Sequence, residues 1–257
     1  FAAEQKGAQD EKYIRNPKTE EYLQILEDCP GIIRWTAAPE LEGVLEMGKI
    51  LRERGILPSI GHSNAVYEEV LSAFENGFKH ITHLYSGMSG VRRINAYRYS
   101  GVVESSYLIE EMSVEIIADG CHLPPSLLKL IYKIKGSDKI ALVTDSMRGA
   151  GMPEGSYILG SKKEGQEVIV EEGVAKLKDR TAFAGSVATA DRLVRTMVKQ
   201  ADIPLIEAVK MMTLTPARII GVEDKRGSIS TGKIADLVIF DENINIEKVM
   251  AAGEFIE

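Results

Sequence analysis

Residues 57–62 read Leu-Pro-Ser-Ile-Gly-His, residues 67–76 read Tyr-Glu-Glu-Val-Leu-Ser-Ala-Phe-Glu-Asn, and residues 79–83 read Lys-His-Ile-Thr-His. The first and third stretches are short apolar runs that end in polar residues, which is typical of buried strands. The middle stretch has the spacing of an amphipathic helix. A strand, a helix and a second strand in this order predict a parallel βαβ unit, and this unit decides the fold class.

The same alternation continues on both sides of this unit. Further strands are predicted at residues 31–36, 114–119 and 140–145, with helices at residues 41–54 and 125–135. Because strands that alternate with helices pair in parallel, the expected fold class is α/β with a parallel sheet.

The pattern changes at about residue 155. Three short runs with glycine turns, at residues 157–160, 167–170 and 174–177, predict an antiparallel β insertion covering about 155–184. Two helices are predicted at residues 190–200 and 205–212, and the tail returns to strands at 236–240 and 248–250 with a turn at Gly253. We expect a main domain over residues 1–222 and part of a small β domain over residues 223–257.

Composition excludes several classes of protein. The chain has 257 residues, a formal net charge of −7 and a pI near 5.3, which argues against nucleic-acid binding. No apolar run approaches the roughly 20 residues that a membrane helix needs, so no membrane association is expected. Cys29 and Cys121 are the two cysteines and lie far apart, which predicts a reducing, cytoplasmic location rather than a disulfide framework.

Polar side chains with catalytic chemistry follow the predicted strands. His62, His83 and His122 stand at or just beyond the carboxyl ends of three strands, and Asp119 and Asp145 occupy similar places. In barrels built from βα units the active site lies at this end of the strands. Neutral imidazoles there are natural ligands for a divalent metal, and an aspartate can exchange protons with a water.

A simpler interpretation holds for each histidine taken alone. A single histidine at a strand end is more often a packing or surface residue than a ligand. Strict alternation in a regular strand places His80 and Thr82 on one face and Ile81 and His83 on the other. We therefore take His83 as the candidate ligand and His80 as structural.

Short motifs in a fixed order carry a resemblance to a known family. The motifs are Gly61-His62-Ser63, Thr82-His83-Leu84-Tyr85, Ala118-Asp119-Gly120-Cys121-His122, Val143-Thr144-Asp145, Ala184-Gly185-Ser186 and Gly232-Lys233-Ile234-Ala235-Asp236. With them the chain resembles the N-acetylglucosamine-6-phosphate deacetylases of the amidohydrolase superfamily over nearly its whole length. That resemblance implies a (β/α)8 barrel of TIM type, of which this chain holds part, and a small β-sandwich to which the tail contributes.

The resemblance implies a metal-dependent hydrolysis. One divalent ion, Zn²⁺ or Fe²⁺, with a second one possible, is held in the family by a glutamate and two histidines, which match His62 and His83. The glutamate belongs to a Glu-Gly-Pro-Phe motif, and the sequence begins at the residue that matches its phenylalanine, so the third ligand is expected before Phe1. Asp145 matches the catalytic acid/base. A homodimer is also implied.

The resemblance further implies contacts to an amino sugar phosphate as substrate. Arg98 offers a fixed charge and a fork of donors suited to phosphate. The complete set of expected substrate-binding residues is Ala8, Gln9, Ser86, Gly87, Arg98, Asp119, Gly120, Cys121, His122, Phe183, Ala184 and Gly185.

Two departures from the family pattern leave the exact function open. Ser86-Gly87 stands where the family usually has Asn-Ala, and Gly7-Ala8-Gln9 stands where it often has Gly-x-His. The substrate could therefore be N-acetylgalactosamine-6-phosphate, which differs at one hydroxyl. The motifs are also compatible with a dihydroorotase-like or amino-acid-deacetylating amidohydrolase, and with a non-catalytic protein that binds sugar phosphates.

Overall fold

A computed structural model describes residues 1–256, which fall into two compact units that divide between Glu115 and Ile116. Both units combine helices with strands. The domain division expected at residue 222 rests on a different criterion, and it stays a prediction. No helix among the described residues has the length and apolar content to cross a bilayer.

The first unit alternates strands and helices after two short 3-10 turns, Ala3–Gln5 and Glu11–Tyr13. Its elements are α1 (Thr19–Asp28), β1 (Arg34–Ala37), α2 (Val44–Glu53), β2 (Leu57–Ile60), α3 (Tyr67–Glu75), β3 (His80–Ile81), β4 (Arg92–Ile94), β5 (Tyr97–Tyr99), α4 (Val102–Leu108) and β6 (Ser113–Ile116), whose last residue begins the second unit.

The sheet of the first unit is parallel. β1 pairs with β2 from Arg34 opposite Leu57, β2 with β3 from Ser59 opposite His80, and β3 with β6 from His80 opposite Ser113. All of these strands point the same way, so their carboxyl ends lie at one edge, and the residues that follow them are brought together there. The predicted βαβ pattern is confirmed.

Helix α2 packs on this sheet through an apolar stripe. Val44, Met47 and Leu51 recur at helical spacing and are buried. Gly48 lies on the same face, and a Cβ there would come within 2.2 Å of Phe78 Cε2. Glycine is therefore required for the ring of Phe78, which has no exposed surface, to lie against the helix.

The hairpin of β4 and β5 was not predicted. Arg93 pairs across it with Arg98, and Tyr97 near its turn is 74% exposed. The turn uses Asn95 and Ala96, both with positive φ, at 49° and 72°. The sequence lacks the usual glycine at this turn, which is why the hairpin escaped prediction.

The second unit contains the remaining elements. They are α5 (Pro125–Lys135), β7 (Ile140–Leu142), β8 (Gly155–Leu159), β9 (Gln166–Glu171), β10 (Val174–Leu177), α6 (Ala190–Lys199), α7 (Leu205–Met212), α8 (Leu214–Ile219), β11 (Leu237–Phe240), β12 (Ile246–Ala251) and β13 (Glu254–Ile256). The helices at 125–135, 190–199 and 205–212 and the strands β8 to β12 match the predicted positions within two residues, whereas α8 and β13 were not predicted.

This unit contains two antiparallel sheets, one formed by strands before helices α6 to α8 in the chain and one by strands after them. β8, β9 and β10 form one, in the order β10-β9-β8, and β11, β12 and β13 form the other in chain order. Next to β7, the backbone N–H of Val143 donates to the carbonyl of Ile116. The chain therefore has an α/β fold with a parallel sheet and additional antiparallel sheets.

Candidate active site

His62 follows β2 by two residues and lies in a turn with φ of 49°. Its Nδ1 is 2.8 Å from the carbonyl oxygen of Gln5. Because a carbonyl can only accept, Nδ1 carries the proton and Nε2 carries the lone pair. A metal-binding imidazole commonly donates its other N–H to a backbone carbonyl, which fixes the tautomer in this way. The sequence did not predict the contact with Gln5, because a backbone carbonyl is not specified by residue type.

The imidazole of His62 is enclosed by close neighbours. The ring of Phe1 stacks on it with centroids 4.2 Å apart and an interplanar angle of 22°. Gly87, at φ of 54°, lies so near that a Cβ would be 2.9 Å from both His62 Nδ1 and the Gln5 carbonyl. The ring is thus held by stacking on one side and by close backbone approach on another.

His83 follows β3 by two residues, with φ of 33°, and is buried. Its ring meets that of His62 edge-on, with centroids 4.9 Å apart. Two imidazoles that share one tetrahedral ion have ring centres roughly 5 Å apart, since each metal–nitrogen bond is about 2 Å. The donor chemistry and the spacing of this pair therefore fit a divalent metal.

The pair does not by itself make a full coordination shell. Within residues 1–256, no group of three or more His, Cys, Asp or Glu side chains is arranged to hold an ion. Catalytic zinc sites generally use three protein ligands and one water. His62 and His83 would therefore supply two of the three protein ligands that such a site uses.

His80 is the first residue of β3. It is buried, its Nδ1 is 2.7 Å from Ser113 Oγ, and its Nε2 is 3.3 Å from Glu115 Oε1. Glu115 also pairs with Arg34. Burial, with a smaller contribution from the charge of Arg34, lowers the pKa of His80 to about 3, so the ring is neutral near pH 7.

Glu40 supports the loop that carries His62. Its carboxylate accepts hydrogen bonds from Ser63 Oγ at 2.7 Å and from the backbone N–H of Asn64 at 2.5 Å. Sequence reasoning missed this residue. The available signal was an acidic side chain shortly after the first predicted strand.

The other expected contacts of the first unit are spread over its loops and hairpin. Ser86 and Gly87 follow His83 in the same loop and are half-buried. Ala8 is half-buried and Gln9 exposed, in the turn after Gly7, and Gly7 faces His62. Arg98 is exposed on β5. The structure thus brings Ser86 and Gly87 beside the histidine pair, while the role of Arg98 stays a prediction.

In the second unit, Asp119 organises a tight loop after β6. Its Oδ1 accepts the backbone N–H of Cys121 at 2.9 Å and of His122 at 2.8 Å, and its Oδ2 is 2.8 Å from His122 Nδ1. Burial alone would raise the pKa of Asp119, but the hydrogen bonds and charge of His122 and the backbone bonds outweigh it and lower that pKa. The carboxylate is therefore ionised, and Nδ1 donates to it.

Two further residues hold this loop, and neither was predicted. Ser186 Oγ donates to Asp119 Oδ2 at 3.3 Å. Arg192 donates to the carbonyl of Asp119 at 2.8 Å. Gly120 in the same loop has φ of 81°, which a residue with a side chain adopts only with strain.

Asp145 follows β7 by three residues and is exposed, with φ of 47°. Its carbonyl accepts the backbone N–H of Ser186 at 2.9 Å. Gly185 also lies close to Asp145, since a Cβ at Gly185 would be 3.1 Å from the Asp145 carbonyl oxygen. The ring of Phe183 lies against His122, with centroids 4.7 Å apart.

Three of the expected catalytic residues share a strained backbone. His62, His83 and Asp145 all have φ between 33° and 49°. Side chains other than glycine rarely adopt this region, and such strain costs about 1–3 kcal/mol per residue. Positive φ alone does not single them out, since eight other non-glycine residues among those described also have it; what these three share besides is their position just after β2, β3 and β7.

Comparison with protein families identifies the group to which the chain belongs. The model of the amidohydrolase family matches residues 36–256. The chain belongs to the amidohydrolase family. Amidohydrolases are generally metal-dependent, in line with the paired imidazoles.

Relatives within the amidohydrolases point to one kind of chemistry. The chain is 33% identical to an N-acetylglucosamine-6-phosphate deacetylase of Vibrio furnissii, over 100% of this chain and 62% of that protein. It is 32% identical to an N-acetylgalactosamine-6-phosphate deacetylase of Escherichia coli O157:H7, over 99% of this chain and 65% of that protein. The chain thus spans less than two thirds of the length of these curated relatives.

A solved amidohydrolase structure has the same fold. A mutant N-acetyl-D-glucosamine-6-phosphate deacetylase from Mycobacterium smegmatis, in complex with N-acetyl-D-glucosamine-6-phosphate, superimposes with a TM-score of 0.92 at 29% identity. The match covers 99% of this chain and 66% of that one.

Proposed function

We propose that this chain is part of a metal-dependent amidohydrolase that cleaves the acetamide of N-acetylglucosamine-6-phosphate, giving glucosamine-6-phosphate and acetate. The observation that carries the proposal is the imidazole pair of His62 and His83, 4.9 Å apart at the ends of parallel strands, with the tautomer of His62 fixed by a carbonyl. The substrates named for the relatives from Vibrio furnissii and Mycobacterium smegmatis support the choice of sugar phosphate.

His62 and His83 would hold one divalent ion, Zn²⁺ or Fe²⁺. The proposal is also compatible with a second divalent ion. Nε2 of His62 is the ligand atom, since its Nδ1 is committed to Gln5. When bound, such an ion supplies Lewis-acid activation of water and of the acetyl carbonyl near neutral pH. The protein's part is to present neutral imidazoles in a fixed orientation.

Asp145 is proposed as the general acid/base. Its carboxylate would accept a proton as water attacks the acetyl carbon and then donate a proton to the departing nitrogen. The exposed position of Asp145 and its strained backbone suit a group that must meet substrate. A positioned group of this kind contributes roughly 10²- to 10⁴-fold in rate.

The phosphate and the sugar would be bound away from the reacting amide. Arg98, Ser86, Gly87 and His122 are proposed phosphate contacts. The remaining proposed substrate contacts are Ala8, Gln9, Asp119, Gly120, Cys121, Phe183, Ala184 and Gly185. Remote binding of this kind positions the amide for attack, so loss of the phosphate should reduce turnover as well as affinity.

We further propose that the parallel strands belong to a (β/α)8 barrel and that residues 223–257 contribute to a small β-sandwich. The protein would act as a homodimer. Supporting the dimer is the exposed apolar surface of the β4–β5 hairpin, where Ile94 is 39% and Tyr97 74% exposed.

A second candidate is deacetylation of N-acetylgalactosamine-6-phosphate. It is favoured by the similarity to the Escherichia coli deacetylase for that sugar, at 32% identity. The two sugars differ at one hydroxyl, and Gln9 and the Ser86-Gly87 pair are the residues that we propose distinguish them.

The test is a deacetylation assay on both hexosamine-6-phosphates and on unphosphorylated N-acetylglucosamine, with elemental analysis of the same sample. Acetate release from N-acetylglucosamine-6-phosphate by protein that contains a divalent metal supports the proposal. Faster release from the galactosamine substrate would select the second candidate. Binding of sugar phosphate with no acetate release from any substrate, in metal-loaded protein, would instead indicate a non-catalytic binder.

A further inference from the structure

Three hydroxyl groups form a hydrogen-bonded chain across the parallel sheet of the first unit. Thr82 Oγ1 lies 2.9 Å from Thr36 Oγ1 and 2.7 Å from Ser59 Oγ. Ser59 Oγ in turn donates to the carbonyl of His80 at 3.3 Å. Because each hydroxyl has a single proton and a carbonyl can only accept, Thr36 donates to Thr82, and Thr82 donates to Ser59. This hydroxyl chain joins β1, β2 and the residue that follows β3.

The hydroxyl chain lies beside the residues that precede the two candidate metal ligands. Thr82 comes directly before His83, and Gly61 comes directly before His62. A Cβ at position 61 would be 2.6 Å from Thr36 Cγ2 and 3.0 Å from Thr82 Cβ. The backbone that leads to His62 therefore fits closely between the two threonines, and the backbone that leads to His83 belongs to one of them.

Backbone hydrogen bonds extend the strand pairing to the same two residues. The N–H of Gly61 donates to the carbonyl of Ala37 at 3.2 Å, and the N–H of Thr82 donates to the carbonyl of Ile60 at 2.8 Å. The two histidines that come next have positive φ, at 49° and 33°. The strands are thus held together by backbone and by hydroxyl bonds at the point from which both imidazoles project.

We propose that the three residues of the hydroxyl chain are positioning residues, which set the separation of the imidazoles of His62 and His83. The inference deepens the proposed function, and it rests on that function for the ion that the imidazole pair would hold. Ser59 is 0% and Thr82 8% exposed. These buried hydroxyls act on the site through the backbone.

Contact distances give the size of the expected effect. Valine has the shape of threonine, but it places a methyl group where Thr82 has Oγ1. A methyl carbon and an oxygen are in ordinary contact from 3.4 Å, so Thr82→Val would move Ser59 Oγ away by about 0.7 Å and Thr36 Oγ1 by about 0.5 Å. Ligand distances in a metal site stay within about 0.2 Å of their ordinary values. The displacement therefore exceeds what the imidazole pair can tolerate.

Two further variants separate the hydroxyl from other effects. Thr82→Ser keeps the oxygen and removes only the methyl group, so it should restore the ring separation. Thr215→Val is the matched control in the second unit, because Thr215 is also 0% exposed and donates from Oγ1 to the carbonyl of Ser137 at 2.6 Å. It removes a buried hydroxyl as well, and it should lower stability without changing the imidazole pair.

The experiment measures nuclear Overhauser cross-peaks between the histidine rings in deuterated protein with protonated histidines, assigned with His62→Gln and His83→Gln. The ring centroids lie 4.9 Å apart, so the parent, Thr82→Ser and Thr215→Val should show a cross-peak between His62 and His83. Thr82→Val should weaken it, because its intensity falls with the sixth power of the proton separation.

Several outcomes would overturn the positioning role. They are a parent without this cross-peak, an undiminished cross-peak in Thr82→Val, an equal loss in Thr82→Ser, and an equal loss in Thr215→Val. If Thr82→Val does not fold, Thr36→Val decides, since it keeps the methyl group that contacts Gly61 and removes only the outer hydroxyl. An undiminished cross-peak in that variant would then overturn the proposal.

Titration with Zn²⁺ connects ring separation to the proposed function. Changes to groups that orient metal ligands cost about 10- to 100-fold in affinity, so Thr82→Val should bind Zn²⁺ at least about tenfold more weakly than the parent, and Thr82→Ser should not. Equal affinity of the parent and Thr82→Val would overturn the positioning role. A parent that binds no Zn²⁺ while the cross-peaks behave as expected would count against the proposed metal-dependent function alone.

Discussion

Gly48→Ala should destabilise the first unit, although alanine is the better helix former. Gly48 lies inside α2, where Ala is favoured over Gly by roughly 0.5–1 kcal/mol. The new Cβ, however, would lie 2.2 Å from Phe78 Cε2, whereas ordinary contacts begin at 3.4 Å, so the ring or the helix must shift by the 1.2 Å difference. Phe78 has no exposed surface and therefore no open space to move into.

The expected magnitude follows from these opposing effects. Overpacking in a filled core costs typically 1–3 kcal/mol. After subtraction of the gain in helix propensity, the free energy of unfolding should fall by about 0.5–2 kcal/mol. Because Phe78 lies two residues before β3, the shift would also disturb the strand that leads to His83.

Urea unfolding followed by the fluorescence of Trp35, the single tryptophan, reports on this unit. Gly31→Ala is the matched control, since nothing lies within 4 Å of the new Cβ, and it should be neutral or slightly stabilising. Phe78→Leu should cost less in the Gly48→Ala background than in the parent, because the two changes compensate. A Gly48→Ala variant more stable than the parent would refute the reasoning.

Three further predictions concern the site and its surroundings. Asp145→Asn should retain metal by elemental analysis but lose roughly 10²- to 10⁴-fold in kcat, and near-normal turnover would remove Asp145 from the acid/base role. Arg98→Ala should raise KM for the phosphorylated sugar about tenfold or more. Arg93 pairs with Arg98 across the hairpin, and Arg93→Ala should leave KM unchanged. Equal effects of the two substitutions would show that Arg98 makes no specific phosphate contact. Burial lowers the pKa of His80 from its ordinary value of 6.5 to about 3 in the folded protein, so unfolding between these pH values takes up a proton. The contribution of His80 to the free energy of unfolding is therefore complete above pH 6.5. It falls by up to about 1.4 kcal/mol per pH unit as the pH drops toward 3. Urea unfolding at several pH values should show this slope reduced in His80→Gln; an unchanged slope would contradict it.

The sequence alone predicts the helices and strands in which apolar residues recur at a regular spacing. Helix α5 was predicted at its observed bounds, because Leu128 and Ile131 recur at helical spacing between Pro124 and Gly136. The alternation argument that distinguishes His80 from His83 stays a prediction, because β3 ends at Ile81 and His83 lies beyond it with φ of 33°. The hairpin of β4 and β5 could not be predicted in this way, since its strands are mostly exposed and carry no apolar alternation.

The partners of the site residues were less predictable than the residues themselves. The bond from His62 to the Gln5 carbonyl joins positions 57 residues apart through a backbone atom, and no residue type signals it. The bond of Ser186 to Asp119 spans 67 residues and depends on how the loops after β6 and β7 fold. Side-chain identity indicates what chemistry is available, whereas orientation depends on tertiary contacts that have no local pattern.

The backbone at the strand ends gives an argument for function that does not depend on any relative. At the end of β2, glycine stands at position 61, where a Cβ would come within 2.6 Å of Thr36, while the positive φ falls on the next residue, His62. Glycine at position 62 would relieve strain of about 1–3 kcal/mol. Glycine at position 83 or at position 145 would likewise relieve strain, since His83 and Asp145 also have positive φ. Eight other non-glycine residues among those described also have positive φ, so the strain alone is no mark of function; it supports the proposed roles because it coincides with the ends of three strands and with two imidazoles and a carboxylate.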